Sequence, residues 1–288
     1  MEDFAMKTKT LLLSLLCFVG ITTATAQSEI YYWHNGFSVK VQEVDSITFT
    51  PPVSTPHAGE IYTVNGVDFT MVPIDGGTFN MGFDGEDAFD REKPVHPVKV
   101  SSFSIGQTEV TQALWEAVMG SNPSFWRGLN LPVEKVSWND CQEFITKLNQ
   151  LTGLNFRLPT EAEWEFAARG GNYSKGYKYS GSDNLEDVAW YKEYSEKNTH
   201  EVATKQPNEL GLYDMSGNVQ EWCQDYFDEN YYRYSPIDNP KGALEKFYYH
   251  VYRGGSYHDI TNRGCCVYFR FGTTPTASEI YRGLRLAL

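Results

Sequence analysis

The stretch at residues 211–223, Gly-Leu-Tyr-Asp-Met-Ser-Gly-Asn-Val-Gln-Glu-Trp-Cys, constrains the fold of this chain more than any other. Its two carboxylates, Asp214 and Glu221, are separated by Gly217 and Asn218, which allow a tightly turned backbone with free carbonyl groups. Carboxylate and main-chain carbonyl oxygens are the ligands that calcium takes. The flanking apolar residues predict that both ends of the loop are buried. The alternative is a well-packed turn with two solvated acids.

The bulk composition excludes some classes of function. The chain has 288 residues, enough for one large domain or two small ones. Its net charge of −13 argues against a nucleic-acid or membrane-surface partner. No H-x-x-H or H-E-x-x-H pattern occurs, which disfavours zinc hydrolysis. The 19 tyrosines and seven tryptophans indicate either an irregular fold held by aromatic side chains or an aromatic surface that binds sugars or proteins.

The first 26 residues have the pattern of an export signal. Lys7 and Lys9 precede an apolar run at residues 11–21, and Ala24-Thr25-Ala26 is an A-x-A cleavage site. The apolar run is too short to cross a bilayer. We therefore expect an exported bacterial protein, periplasmic or extracellular, with no transmembrane segment in its mature chain.

Four cysteines follow the predicted signal: Cys141, Cys223, Cys265 and Cys266. Four cysteines allow three pairings, and the sequence does not choose among them. The adjacent Cys265 and Cys266 would be strained if paired to each other. A bridge from one of them to Cys223 and a set of buried free thiols are both open.

The chain divides into a short β segment with a linker at residues 27–56 and a main domain at residues 57–288. Residues 30–41 predict a hairpin with Asn35-Gly36 at its turn, and residues 44–50 predict a further strand. The main domain begins with strands predicted on either side of Asp75-Gly76-Gly77 within residues 68–82, and then at residues 94–100 and 102–105.

Three capped helices are predicted next. The first occupies residues 111–119 and is ended by Gly120, the second begins after the cap Ser137, and the third begins at the capping box of Thr160. Three glutamates of the third helix are expected to be partners of the helix dipole on a solvated face: Glu161, Glu163 and Glu165. Two further sites are expected to be in contact with solvent, the acidic loop at residues 84–92 and His200.

Several segments resemble the formylglycine-generating enzyme family, the sulfatase-modifying factors. They are residues 211–223, Arg157 to Arg169 with its Leu-Pro-Thr-Glu-Ala-Glu-Trp core, Arg253-Gly-Gly-Ser-Tyr, and the closing Gly283-Leu-Arg. The resemblance implies a loop-rich α+β fold related to C-type lectins, with little regular secondary structure. It also implies a calcium site, with ligands from Asp214, the carbonyls of Gly217 and Val219, and Glu221.

The resemblance weakens at the catalytic positions. The family's enzymes bind Cu(I) through two cysteines and use oxygen to convert a peptide cysteine to formylglycine. Here the first of these positions holds Asp259, and the second falls on Gly264, beside Cys265 and Cys266. A carboxylate is a hard ligand that suits Cu(I) poorly, so copper is not expected. The family's tryptophan before the calcium-loop glutamate is Gln220 here, and Ser256 is retained.

Three functions remain open. The first is a non-catalytic, calcium-stabilised module that binds a protein, peptide or glycan. The second is a copper- and oxygen-dependent oxidase in which Ser256, Cys265 and Cys266 carry the catalysis. The third is a variable ligand-binding display protein, like the targets of diversity-generating retroelements, with residues 257–268 as its contact surface.

Overall fold

The structure, a computed structural model, describes residues 30–34 and 37–41 and then residues 59–288, except 193–194, 245–246 and 260–261. The chain separates into two units, Met1–Thr55 and Pro56–Leu288. In the first unit, strands β1 (Ile30–His34) and β2 (Phe37–Val41) pair antiparallel, which confirms the predicted hairpin. The Asn35-Gly36 turn, the strand predicted at 44–50 and the export signal lie outside the described residues.

The described residues of the second unit form three sheets. Strands β3 (Glu60–Val64), β4 (Val67–Ile74) and β7 (Phe103–Gly106) form the first, and β5 (Gly77–Met81) with β6 (His96–Val100) forms the second. The third has the order β10-β9-β8-β11, from Phe271–Thr273, His250–Arg253, Gln220–Tyr226 and Arg282–Leu284. The predicted break between β4 and β5 is confirmed. A Cβ at Gly76 would lie 2.6 Å from the Val100 carbonyl oxygen, so the close approach of the two chains requires glycine there.

The three predicted helices are present as α1 (Gln112–Met119), α2 (Trp138–Thr152) and α3 (Glu161–Ala168), followed by one short turn, α4 (Leu185–Val188). Helices α2 and α3 begin directly after the predicted caps Ser137 and Thr160, and α1 begins after Thr111, which was predicted to lie within the helix. All three hydroxyls accept hydrogen bonds from backbone N–H groups of the first turn. Gly120 ends α1 in the left-handed conformation, as predicted.

The apolar side chains form two cores. One lies between α1, α2 and the first sheet, where Trp115 stacks on Phe144 with ring centroids 4.8 Å apart. The other surrounds α3 and contains Trp164 and Phe166. All four cysteines of this unit are buried and free, so the alternative of buried thiols is the one that the structure adopts.

Helix α3 differs from its prediction on the side that faces the third sheet. Glu161 is 1% exposed and Glu165 is 0% exposed, so neither belongs to a solvated face. Arg270 donates two bonds to Glu161, at 2.6 and 2.8 Å, and Arg253 donates to Glu165. Arg253 ends strand β9 and Arg270 directly precedes strand β10, and the charge of these arginines lets α3 place its acids inward.

The acidic loop at residues 84–92 also differs from its prediction. Glu92 is buried and accepts a bond from Arg263 at 2.5 Å, whereas the sequence predicts a solvated side chain. His200 is half-buried and stacks on Trp190 with centroids 3.7 Å apart, so its expected surface position is only partly correct.

The last residues of the chain join the third sheet to the first. Strand β11 pairs with β8 in parallel, with Gly283 opposite Glu221. Beyond it, Leu286 accepts from Gly106 at 2.9 Å, and Leu288 and Ser104 exchange two backbone bonds of 2.9 and 3.0 Å. The closing Gly283-Leu-Arg segment is thereby placed against the loop at 211–223.

The described residues therefore form a mixed α+β fold with few helices and long irregular connections. None of their helices is both long and apolar enough to cross a membrane.

Candidate functional site

Asp214 is the residue of the loop at 211–223 that has spare capacity to bind a ligand. It is buried and lies in the left-handed region, with φ of 57°. Its Oδ2 accepts from the Ala203 N–H at 2.7 Å, whereas its Oδ1 is buried and has no partner among the described residues. Gly217 also has a positive φ, 87°, and a Cβ there would lie 2.5 Å from the Trp190 carbonyl oxygen. Glycine is thus required at this turn.

Glu221 is largely engaged by other side chains. Its carboxylate accepts from Arg285 Nε at 3.0 Å to each oxygen, from Arg285 Nη2 at 2.7 Å, and from Trp164 Nε1 at 2.6 Å. These three donors take most of the roughly four acceptor positions of a carboxylate and leave little capacity for a metal ion. Glu221 anchors Arg285 of the closing segment in this structure.

A third acid, Glu109, completes the cluster and was missed by the sequence analysis. Its oxygens accept from the Val219 N–H at 3.0 Å and from Asn218 Nδ2 at 2.8 Å, so it supports the turn from beneath. Burial, and then the neighbouring Asp214 and Glu221, raise the pKa of Glu109 well above its ordinary value. Only its position directly before the Val-Thr that opens α1 marks it in the sequence.

The cluster fits a calcium ion in part. Burial raises the pKa of Asp214 to about 6, and three carboxylates face one guanidinium, so added positive charge would be favourable. No three His, Cys, Asp or Glu side chains within the described part of the chain converge as a metal cluster. A calcium ion here would therefore take Asp214 and the carbonyls of Gly217 and Val219, with Glu221 committed to Arg285. Calcium binding stays a prediction.

The two departures from the family pattern, Asp259 and Gln220, lie together. Ser256 Oγ donates to Asp259 Oδ2 at 3.0 Å. Burial raises the pKa of Asp259, and hydrogen bonds from Ser256 and Gln220 partly offset the increase. Arg282 in turn donates to Gln220 Oε1 from Nε at 3.1 Å and from Nη2 at 3.0 Å. A hydrogen-bonded chain of Ser256, Asp259, Gln220 and Arg282 stands at the positions where the resemblance implies a copper-binding cysteine and a tryptophan.

Cys265 lies beside these hydrogen-bonded side chains. A Cβ built on the preceding Gly264 would lie 3.0 Å from the Asp259 carboxyl carbon, so the two segments are in contact. Burial raises the pKa of the Cys265 thiol well above its ordinary value, and it also raises the pKa of Cys266. Cys266 directs its sulfur to the Asn262 carbonyl oxygen, 3.8 Å away.

The structure thus brings three of the predicted catalytic residues, Ser256, Cys265 and Cys266, into one region. Cu(I) takes thiolate ligands, and a thiol must lose its proton to bind a metal. Asp259 offers a hard oxygen where a thiolate is needed, and burial disfavours the thiolate forms of Cys265 and Cys266, so these residues fit a Cu(I) dithiolate site poorly.

The frame around this region is held by buried charge pairs that the sequence analysis also missed. Arg253 directly precedes Gly254-Gly255-Ser256 and is bound by Glu165 of α3 and by the carbonyl oxygens of residues 267–269. Gly255 approaches the backbone of Gly264 and Cys265 so closely that a Cβ would lie 2.6 Å from the Gly264 carbonyl carbon. Ser256 and the Cys265 segment are therefore fixed in relation to each other.

The second unit resembles known proteins in sequence and in fold. The model of the sulfatase-modifying factor enzyme 1-like domain matches residues 64–288. The solved structure of Treponema denticola variable protein 1 superposes with a TM-score of 0.73 at 34% identity, over 82% of this chain and 99% of that one. The formylglycine-generating enzyme of Streptomyces coelicolor is 32% identical over 75% of this chain and 88% of its own length.

Two further relatives differ in what they are named for. The inactive C-alpha-formylglycine-generating enzyme 2 of Bos taurus is 28% identical over 77% of this chain and 89% of its own. The chaperone protein LppX of Paenibacillus barcinonensis is 36% identical over 45% of this chain, and the match spans 64% of that relative, less than two thirds. Because the family model covers most of the chain and the fold agrees, this protein belongs to the sulfatase-modifying factor enzyme 1-like family.

Proposed function

We propose that this protein is an exported, non-catalytic member of its family that binds a protein, peptide or glycan ligand, with calcium as a stabilising ion. The observation that carries the proposal is the hydrogen-bonded chain of Ser256, Asp259, Gln220 and Arg282. It occupies the positions where a catalytic relative needs a thiolate and a tryptophan.

The chemistry of these residues supports a loss of oxidase activity. Asp259 is a hard oxygen ligand already bonded to Ser256, and burial raises the pKa of the Cys265 thiol beside it, which disfavours the thiolate. The oxidation of a peptide cysteine through copper would need a second thiolate in place of Asp259. An inactive enzyme among the relatives shows that such losses occur within the family.

Exposed aromatic side chains support a binding role. Tyr234, Tyr248, Tyr249 and Phe271 are all more than one third exposed. Tyrosine and phenylalanine are enriched where proteins bind partners, because they bury much apolar area at a small entropic cost.

The test is a titration of the reduced mature protein with Cu(I), followed by incubation with a peptide containing Cys-x-Pro-x-Arg and mass spectrometry. We expect neither one-to-one copper binding nor a change in the mass of the peptide cysteine. The Asp259→Cys variant is the matched comparison, because it restores a thiol at the departed position. Copper binding by that variant alone would show that Asp259 is the reason why the natural protein does not bind copper. Turnover of the peptide by the natural protein would overturn the proposal.

The oxidase remains the second candidate because Cys265 packs against Asp259 and Ser256. If the natural protein does convert the peptide, Cys265→Ser should abolish the conversion, and the site would then be a rearranged one.

A variable display protein is the third candidate, supported by the similarity to Treponema denticola variable protein 1. A reverse transcriptase gene and a template repeat beside this gene would mark that function. Their absence from the genome would exclude it.

A further inference from the structure

The side chain of Arg91 lies among three phenylalanine rings. Its guanidinium carbon is 4.2 Å from the ring centroid of Phe89, 4.6 Å from that of Phe271 and 5.4 Å from that of Phe269. We call Phe89, Arg91, Phe269 and Phe271 the Arg91 patch. Phe89 and Phe271 are 41% and 39% exposed, so the patch is open to solvent on at least two of its rings.

Arg91 is held in place before any ligand arrives. Its Nε donates to the Arg270 carbonyl oxygen at 2.8 Å, and Arg270 Nη1 donates to the Arg91 carbonyl oxygen at 3.0 Å. Arg270 is itself fixed by two bonds to Glu161. A side chain already ordered in this way loses less conformational freedom when it binds.

The outer nitrogens of Arg91 differ from those of the buried arginines in their hydrogen-bond partners. Arg253, Arg270 and Arg285 each bond to a buried glutamate, whereas Arg91 Nη1 and Nη2 bond to no acceptor among the described residues. Partial burial lowers the pKa of Arg91, and Glu92 and Glu229 only partly offset the loss of solvation. A half-desolvated guanidinium with free donors is a strong site for a carboxylate.

The neighbouring Arg263 does not compete for this role. It stacks on Phe89 at 4.1 Å, but its guanidinium is already bonded to Glu92 and Asp87. The patch therefore presents one free cationic group inside an apolar frame, on a chain whose net charge is −13.

We propose that the Arg91 patch docks an acidic segment of a partner protein. An Asp or Glu carboxylate of the partner bonds to Arg91 Nη1 and Nη2, and apolar side chains beside it cover Phe89 and Phe271. The three phenyl rings carry no polar tip that could bond to sugar hydroxyls, which favours a peptide over a glycan. Arginine and phenylalanine are also both enriched at the centres of protein interfaces. The proposal rests on the proposed binding function and specifies its partner.

The experiment pans a random dodecapeptide phage library on the full protein and measures the affinity of the recovered peptides by fluorescence polarisation. We expect recovered sequences to contain Asp or Glu beside apolar residues. Loss of charge-assisted bonds in Arg91→Gln should weaken their binding roughly 10- to 100-fold. The exposed Arg127, which donates to the Asn122 backbone carbonyl, supplies the control Arg127→Gln with the same change in charge and an expected unchanged affinity.

A second variant, Phe89→Ala, keeps Arg91 and removes one exposed ring. It should also weaken binding, and thermal melting of each variant shows whether the fold is retained. Peptides that bind Arg91→Gln as well as the natural protein would overturn the patch while leaving the binding function intact. The docking proposal would also be overturned if no acidic peptides were recovered. The same holds if polygalacturonate, an acidic polysaccharide, were the only probe whose binding depends on Arg91. Oxidation of the cysteine peptide would instead refute the proposed function.

Discussion

Replacing Glu165 with glutamine tests the buried charges of α3 most directly. The Glu165 carboxylate is fully buried and accepts from Arg253, from Arg169 at 2.7 and 2.9 Å, and from the Gly82 N–H at 2.9 Å. Glutamine keeps the shape and one acceptor oxygen but removes the charge. Arg253 is then left buried with only Glu161, 3.7 Å away, as a counter-charge.

The expected cost follows from the unpaired guanidinium. Breaking a buried ion pair by removing one partner costs about 3–5 kcal/mol, and the partial compensation by Glu161 places Glu165→Gln in the lower half of that range. For a domain of this size, each kcal/mol lowers the melting temperature by about 2–4 °C. We therefore expect Glu165→Gln to melt roughly 6–15 °C below the natural protein.

The control is Glu163→Gln, two residues earlier on the same helix. Glu163 pairs with Arg157 at 2.6 Å, but their side chains are 14% and 37% exposed, so the pair is worth about 1 kcal/mol or less. Glutamine can also retain the capping box with Thr160. Calorimetry and urea unfolding of both variants give the comparison. Equal destabilisation by the two substitutions would refute the reasoning.

Lowering the pH should reduce the difference in melting temperature between Glu165→Gln and the natural protein. Burial acts to raise the pKa of Glu165, but Arg169 and Arg253 outweigh it and hold the pKa below its ordinary value. A lowered pKa in the folded state contributes stability that is present above the unfolded pKa, about 4.3, and is lost as the pH falls through the folded pKa. The two melting temperatures should therefore converge below about pH 4.

Two further predictions concern calcium and pH. The natural protein should melt higher in calcium than in chelator, because a ligand of the folded state alone stabilises it, and Asp214→Ala should remove this rise. Glu221→Ala should lower the melting temperature in both buffers, because it leaves Arg285 unpaired. Identical melting of the natural protein in calcium and in chelator would contradict the site. Burial, partly opposed by bonds from the Trp126 and Phe125 N–H groups, raises the pKa of Glu134 to about 7. The free energy of unfolding should consequently fall as the pH rises from about 4.5 to 7, and the melting temperature of Glu134→Gln should depend less on pH over this range. Parallel pH profiles of the two proteins would show that Glu134 does not cause the fall.

Local signals in the sequence were sufficient for the helices. Thr111, Ser137 and Thr160 act within one turn of their own positions, so a capping residue, the apolar stripe and a following glycine define each helix without the rest of the fold. The same holds for the β4–β5 break at Asp75-Gly76-Gly77.

The buried charges could not be derived in this way. Glu161 precedes Arg270 by 109 residues and Glu165 precedes Arg253 by 88, and no short-range pattern reports these pairings; only the pair of Glu165 with Arg169 has a helical spacing. In isolation, acids in the first turns of a helix are expected in solvent. The loop at 211–223 was recognised as a site, but Glu109 and the commitment of Glu221 to Arg285 depend on contacts across 110 and 64 residues.

The backbone bonds made by residues 282–288 have a consequence for synthesis of the chain. Strand β11 completes the third sheet, and residues 286–288 bond to the first sheet and to Arg157, so the two regions are joined only after residues 282–288 have been synthesised. Contacts between such distant segments slow folding, because much of the chain loses freedom before they form. An emerging chain can form α1, α2 and α3, and Glu165 finds Arg169 at the end of its own helix, but Glu161 lacks Arg270 and Glu221 lacks Arg285 until those residues have been synthesised. The closing steps in the folding of this domain therefore wait for residues 282–288.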